Sequence, residues 1–141
     1  MTARFLLDAN IVSEPLKPAP SSDVLARLDA ASGEIAIPSL VWHELTFGAA
    51  RLPPSRRRDY LERYLSQVVL PAMEVLPYDK AAAEWHARER ARLQKRGLPP
   101  TFVDGQIAAI AVTRNLVLVT RHVGDFDRFE DVQLENWFDP S

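Results

Sequence analysis

The stretch FLLDANIVSE, residues 5–14, joins a hydrophobic run to a polar corner. Phe5, Leu6 and Leu7 predict a buried strand within residues 4–8, and the chain turns polar at Asp8. Nucleotide-binding α/β folds place glycines at such a corner, and this corner contains none. A strand that ends on a carboxylate therefore indicates either a functional site that does not bind nucleotides through a glycine-rich loop, or a turn in which Asp8 accepts hydrogen bonds from backbone amides.

Outward from this corner, predicted strands and helices alternate along the chain. Further strands are predicted at residues 34–38, 72–77, 116–120 and 131–136. Helices are predicted at residues 23–32 with Ser22 as cap, 40–52, 55–69, 80–96 with Asp79 as cap, and 102–114 after Thr101. This alternation predicts a three-layer α/β/α fold around a central parallel sheet of about five short strands. Because no repeat or shift in composition interrupts it, we expect one domain over residues 1–141.

The composition excludes several classes of protein. The chain has 141 residues, 47% of them hydrophobic, which is enough to bury a core. It contains no cysteine, which rules out disulfides, thiolate nucleophiles and zinc–thiolate sites and favours the cytoplasm. A net charge of -2 excludes a uniformly basic nucleic-acid-binding surface, so any such contact must use a local patch. The sequence shows neither a signal peptide nor an apolar segment long enough to cross a membrane.

Two acidic points are predicted to meet at one edge of the sheet. Asp8 ends the first strand, and the loop RHVGDFD (121–127) follows the strand LVLVT. In parallel α/β sheets the working crevice lies outside the carboxyl ends of the strands. Asp125 is the better candidate in this loop, while Asp127 is interpreted as a solvated residue.

Glu44 lies on the helix at residues 40–52, where an exposed structural glutamate is the ordinary interpretation. Bulky apolar neighbours surround it, and Gly48 follows one turn later. Glycine inside a helix costs roughly 1 kcal/mol relative to alanine. We therefore expect another group to pack closely against this face of the helix.

Asp104 has two competing interpretations. It can complete a capping box with Thr101 at the start of its helix. The following run IAAIAV is nearly all apolar and predicts a buried helix, which would direct Asp104 into the protein. Carboxylates brought together in this way repel one another, so a cation must neutralise them or some must remain protonated. Hard oxygen ligands favour Mg²⁺ or Mn²⁺, and such ions are suited to phosphodiester hydrolysis.

The four segments LLDAN, SLVWHELTFG, FVDGQIAAIA and LVLVTRHVGDF, in this order, resemble those of PIN-domain ribonucleases. The resemblance is strongest to the VapC-type toxins of bacterial toxin–antitoxin pairs, and it extends from Phe5 to ENWFDP at residues 135–140. It implies an endoribonuclease that hydrolyses RNA through metal-activated water with Mg²⁺, or alternatively Mn²⁺. It also implies inhibition by a small cognate antitoxin and a homodimeric state.

The resemblance assigns roles residue by residue. It implies that the metal ligands and catalytic residues are Asp8, Glu44, Asp104 and Asp125, with Asn10, Thr120 and His122 close to the metal centre. Two positions depart from the family pattern. Ala9 replaces the threonine of the usual Asp-Thr-Asn, and His122 replaces the asparagine that usually follows Thr-Arg. A histidine there can titrate, which affects the expected pH behaviour.

Binding surfaces are less sharply indicated by the sequence. Basic residues crowd two segments and are interpreted either as a phosphate-binding rim or as solvated helix faces with pairs such as Glu84–Arg88. They are Arg51, Arg56, Arg57, Arg58 and Arg63 in one segment, and Arg88, Arg90, Arg92, Lys95 and Arg96 in the other. No array of exposed aromatic residues for base stacking is evident. The apolar stripe with Leu61, Leu65 and Val68 predicts a groove for an amphipathic antitoxin segment.

Two other functions stay open from the sequence. Receiver and phosphatase domains also place aspartates at strand ends with Mg²⁺. Phosphatases of this kind need Asp-x-Asp where this chain has Asp8-Ala9-Asn10, and receivers need a late lysine where it has Arg121. The second alternative is a PIN-fold interaction module without catalytic activity, against which the presence of all four acids argues.

Overall fold

The computed structural model describes residues 2–139, so Met1, Pro140 and Ser141 of the predicted 1–141 domain lie outside the described residues. The strands are β1 Phe5–Leu7, β2 Ile35–Pro38, β3 Glu74–Leu76, β4 Val117–Val119 and β5 Gln133–Glu135. The helices are α1 Ala9–Val12, α2 Ser22–Ala30, α3 Ser39–Ala50, α4 Arg56–Tyr64, α5 Leu70–Ala72, α6 Lys80–Lys95 and α7 Phe102–Thr113. A π-helical segment, Leu65–Val69, links α4 to α5, and 3-10 turns occupy Glu14–Leu16 and Val123–Asp125.

The five strands form one parallel sheet in the order β3-β2-β1-β4-β5. This confirms the predicted α/β class with a central parallel sheet. The chain winds from β1 through β2 to β3 on one side of β1, and then crosses to β4 and β5 on the other. Because such crossovers are right-handed, the two halves place their helices on opposite faces of the sheet. The order reverses between β1 and β4, which is where open α/β sheets bind ligands.

The core lies around the two central strands. Leu6 and Leu7 of β1 and Leu118 and Val119 of β4 are fully buried. Helix α7 is buried through five consecutive residues, from Ile107 to Ala111, as its apolar sequence predicts. Its position is therefore fixed by packing on most of its circumference, which also fixes the first turn that carries Asp104.

The structure corrects several local predictions. Ser21, not Ser22, caps α2, because its hydroxyl accepts a hydrogen bond from Val24 N at 3.3 Å. Ser21 is held in this position by its own amide, which donates to the buried Glu14 carboxylate at 2.9 Å. The helix predicted at residues 55–69 changes to π-helical geometry at Leu65. Within residues 2–139, no helix combines the length and the hydrophobicity that crossing a bilayer requires.

Candidate active site

Asp8 stands directly after β1 and begins α1. Its Oδ1 accepts a hydrogen bond from Ala9 N at 2.8 Å, so it caps the helix as its turn interpretation predicts. Its Oδ2 accepts from the Thr120 hydroxyl at 2.8 Å and from Asn10 Nδ2 at 3.2 Å. The cap and these two side chains together fix the orientation of a half-buried carboxylate at the switch point of the sheet.

Asn10 and Thr120 connect the ends of β1 and β4. Asn10 Oδ1 accepts a hydrogen bond from Arg121 N at 3.0 Å, and the Thr120 hydroxyl accepts from His122 N at 3.1 Å. Thr120 is fully buried, so its hydroxyl has no competing water. These bonds hold the polar corner after β4 against Asp8.

Glu44 is an exposed residue of α3, and its surroundings differ from the prediction of a crowded helix face. A Cβ built at Gly48 would meet no atom within 4 Å. Gly48 therefore leaves space beside Glu44 instead of accommodating a close neighbour. The crowded glycine of the site is Gly105 on α7, where an added Cβ would overlap the imidazole of His86.

Asp104 lies in the first turn of α7, one residue before Gly105. The hydroxyl of Thr101 caps the helix by accepting a hydrogen bond from Asp104 N at 3.3 Å. Burial raises the pKa of the Asp104 carboxyl above its ordinary value of 3.8, and the charges of Asp125 and Asp8 raise it further. The Thr101 hydrogen bond and the charge of His122 lower this pKa, without reversing its direction. The protein thus holds a carboxylate where its charged form is disfavoured.

Asp125 ends a 3-10 turn in the loop after β4 and is exposed. The loop is attached to α6 through the buried Glu89. Glu89 Oε1 accepts a hydrogen bond from Glu130 N at 2.9 Å, and Arg92 Nη2 donates to Arg128 O at 3.0 Å. Asp125 therefore lies on a loop that hydrogen bonds with Glu89 and Arg92 attach to α6.

One cavity of about 540 Å³ joins these side chains. Its lining includes six of the seven predicted site residues: Asp8, Asn10, Glu44, Asp104, His122 and Asp125. Thr120 lies behind the wall and reaches the cavity through its hydrogen bond to Asp8. The structure thus brings the predicted residues together, while their catalytic roles stay predictions.

The cavity has further lining residues that the sequence interpretation missed. His43, Phe47 and Val103 line it, and Phe47 and Val103 are 60% and 50% exposed. Phe47 follows Glu44 by three residues on a helix, so their shared face was a signal available in the sequence.

The side chains of this cavity suit a hard divalent cation by their donor chemistry. Four carboxylates and an amide supply only oxygen donors of the kind that Mg²⁺ and Mn²⁺ prefer. Burial, together with the charges of Asp125 and Asp8, raises the pKa of Asp104, so its charged form is disfavoured here, and a cation would relieve that penalty. Within residues 2–139, no three acidic or histidine side chains are gathered closely enough to form a finished metal cluster. Glu44 and Asp125 are both exposed.

A second cavity of about 440 Å³ adjoins the first and shares Glu44 with it. Its apolar lining comes from the 3-10 turn after α1, from α3 and from α4. Lys17, Arg51 and Arg57 also line it, and no ion pair of Arg51 or Arg57 is present among residues 2–139.

The ion pair predicted between Glu84 and Arg88 on α6 is wrong. Glu84 pairs with Lys80 instead, with 3.7 Å between Glu84 Oε1 and Lys80 Nζ.

Comparison with known proteins identifies the family of this chain. A family profile described as "PIN domain" matches residues 5–132. Toxin FitB of Neisseria gonorrhoeae is 34% identical over 96% of this chain and 99% of its own length. The tRNA(fMet)-specific endonuclease VapC of Shigella flexneri is 33% identical over 95% of this chain and 98% of its own.

The fold has close counterparts among solved structures. A crystal structure of DNA-bound VapBC from Salmonella typhimurium superposes with a TM-score of 0.81 at 29% identity, over 96% of this chain and 98% of that chain. The family profile, the relatives and the solved structure all indicate the same fold. This chain belongs to the PIN-domain family.

Proposed function

We propose that this protein is a Mg²⁺- or Mn²⁺-dependent endoribonuclease toxin that a cognate antitoxin inhibits. The observation that carries the proposal is the convergence of Asp8, Glu44, Asp104 and Asp125 on one cavity at the switch point of the sheet. Relatives at about one-third identity over nearly the whole chain are a toxin and a VapC endonuclease. The acids come from four separate elements, so a coincidental cluster along one helix is not the explanation.

The residues of this chain divide the work in the proposed reaction. A divalent ion bound here would activate water and stabilise charge on the scissile phosphate. Asp8 is the most rigid oxygen donor, because Asn10 and Thr120 hold its Oδ2. Asp104 contributes a carboxylate whose charge is disfavoured without a cation, which strengthens the drive to bind one.

The catalytic proposal is tested by cleavage of total RNA by purified protein with Mg²⁺. We expect Asp8→Asn and Asp104→Asn each to lower the rate by at least a hundredfold, since each removes a charged ligand. Asp127→Asn is the matched control, because this aspartate is exposed and does not line the cavity. Full activity of Asp8→Asn, or activity that EDTA leaves unchanged, would contradict the proposal.

The second cavity is the proposed binding site of the antitoxin. Its apolar residues Leu45, Leu61 and Leu65 suit the hydrophobic face of a helix, and the neighbouring arginines suit acidic flanks. An antitoxin arginine extended past Glu44 would neutralise the acids of the first cavity. Tyr60→Ala, at an exposed lining residue, should weaken inhibition by the antitoxin while RNA cleavage by the free toxin continues. Equal inhibition of both proteins would show that the antitoxin binds elsewhere.

The predicted homodimer and the alternative of an inactive interaction module need separate measurements. Sedimentation equilibrium of the free protein decides the oligomeric state, and a mass of one chain would contradict the dimer.

The complete set of four acids on the cavity wall argues against an inactive interaction module. Absence of RNA cleavage at any Mg²⁺ or Mn²⁺ concentration would favour that module.

A further inference from the structure

The exposed ring of Phe47 stands at the mouth of the acidic cavity. It follows Glu44 by three residues on α3, which puts both side chains on one face of the helix. Phe47 is 60% exposed, and it lines the same cavity as the four carboxylates. The imidazole of His43 lies nearly parallel to it, at 10° and 6.3 Å between ring centroids. This pairing presents one flat face of aromatic surface beside the acids.

The same face of α3 ends at the positively charged side chain of Arg51. Arg51 lies seven residues after Glu44, about 10 Å further along the helix axis. It lines the second cavity with Arg57 and Lys17. Between the ring and Arg51, Gly48 leaves open space where a side chain would stand. The acidic cavity, which Phe47 lines, therefore shares Glu44 with a cavity lined by Arg51 and Arg57, and neither arginine has an ion pair among residues 2–139.

We infer that this face of α3, formed by Glu44, Phe47, Gly48 and Arg51, is a track for single-stranded RNA. In this arrangement one base stacks on Phe47 and a neighbouring phosphate pairs with Arg51. The inference rests on the proposed ribonuclease function, and it assigns the base contact to Phe47 and the phosphate contact to Arg51.

The order of charges along the track favours RNA over a protein segment. A single strand alternates flat bases with phosphates, which matches an exposed ring followed by a free cation. A protein helix would instead rely on the deeper apolar residues Leu45, Leu61 and Leu65, and it would not require an aromatic ring at residue 47. A duplex keeps its bases stacked on each other and presents none to Phe47.

The test measures binding of a short mixed-sequence, fluorescently labelled RNA by anisotropy in EDTA, where the proposed activity is off. Phe47→Ala should weaken binding of the single strand by about tenfold. Phe47→Leu should weaken it similarly and Phe47→Tyr should not, because leucine keeps the apolar area but loses the flat π face. Binding of the same sequence as a duplex should be equal in all variants. Leu70→Ala, at another exposed apolar residue outside both cavities, is the matched control.

Arg51→Gln tests the phosphate contact. It should lower the slope of log affinity against log salt by about 0.7, the value for one phosphate on a single strand. Arg4→Gln is the control, since Arg4 is exposed, lies outside both basic segments and lines neither cavity. An unchanged slope in Arg51→Gln would overturn the phosphate contact.

Three results overturn the track itself. These are unchanged single-strand affinity in Phe47→Ala, full affinity in Phe47→Leu, and a Phe47→Ala protein that loses inhibition by the antitoxin but retains RNA affinity. The last result would assign the ring to the protein partner. Cleavage of RNA by the wild-type protein with Mg²⁺ is measured in parallel. If cleavage occurs while Phe47 has no effect, the track alone fails, whereas absent cleavage and absent binding refute the proposed function.

Discussion

The carboxyl of Asp104 is held in surroundings that disfavour its charged form, which lowers the stability of the folded protein at neutral pH. Burial and the charges of Asp125 and Asp8 raise its pKa above 3.8. The folded state therefore binds its proton more tightly than the unfolded state. Stability contributed by the protonated form is present at low pH and is lost as pH rises through the raised pKa. At neutral pH without a divalent cation, this carboxylate destabilises the fold.

Asp104→Asn should accordingly raise the melting temperature in EDTA at pH 7, by about 3 °C. The gain should shrink as pH falls towards the ordinary pKa of 3.8, where wild type is itself protonated. Differential scanning calorimetry at several pH values measures both effects. Asp127→Asn, in the solvated part of the same acidic loop, provides the control. A melting temperature that falls in Asp104→Asn would contradict the inference that burial and the neighbouring charges disfavour the charged form of Asp104.

Gly105 on α7 lies against the imidazole of His86 on α6. His86 is 2% exposed, its Nδ1 lies 2.8 Å from the Tyr78 hydroxyl, and its Nε2 faces Gly105. Gly105→Ala should destabilise the protein by about 2 kcal/mol, because the new methyl group overlaps the ring. In the background of His86→Ala the same change should cost much less, since the space is then free. Urea denaturation of the four proteins measures this coupling, and strictly additive costs would refute it.

Helix α6 positions the loop that carries Asp125, although it contributes no residue to the acidic cavity. Glu89 is 6% exposed and pairs with Arg92, whose Nη2 lies 2.6 Å from Glu89 Oε1. The Arg92 hydrogen bond lowers the pKa of Glu89 below its ordinary value of 4.5. The stability from this pair is thus present above pH 4.5 and is lost as pH falls through the lowered pKa.

Glu89→Gln should lower the free energy of unfolding by about 2 kcal/mol at pH 7, as expected for a charge-assisted buried pair. Amide exchange in residues 123–131 should accelerate more than exchange in β1 and β4, because Glu89 directly holds Glu130 N. RNA cleavage should fall while the protein remains folded, since Asp125 loses its support. Glu84→Gln, an exposed change on the same helix, should leave all three quantities unchanged. Uniform acceleration of exchange throughout the protein would show that Glu89 has no local role.

The elements were largely predictable from sequence, and the reasons are physical. All five strands lie within their predicted ranges. The strands β1, β2 and β4 are short apolar runs bounded by polar or proline residues, whereas β3 and β5 mix polar with apolar residues. The buried helix α7 followed from IAAIAV in the same way. The choice of Ser21 as cap depends on Glu14, a contact across seven residues that no local pattern reveals. The opposite environments of Gly48 and Gly105 depend on which helix packs nearby, so neither could be read from the sequence.

At the scale of the whole molecule, the sheet order gathers side chains that are far apart in sequence. Asp8 and Thr120 are 112 residues apart and hydrogen-bonded, because β1 and β4 are neighbours at the point where the order reverses. The sequence predicted that the acids after these strands would meet. The sequence also predicted a groove beside Leu61, Leu65 and Val68, and the second cavity is lined by Leu61 and Leu65 but not by Val68. It could not predict that this cavity shares Glu44 with the first, since that depends on how α3 and α4 pack. The resulting surface has acids at one end and arginines at the other.

The central claim is that the four acids of this cavity hold a divalent cation. Titration of Mn²⁺ into the purified protein, followed by electron paramagnetic resonance of the free ion, tests it without any RNA. We expect saturable binding by wild type, at least tenfold weaker binding by Asp8→Asn and Asp104→Asn, and unchanged binding by Asp127→Asn. Wild-type affinity retained in both Asp8→Asn and Asp104→Asn, or no saturable binding by wild type, would contradict the claim.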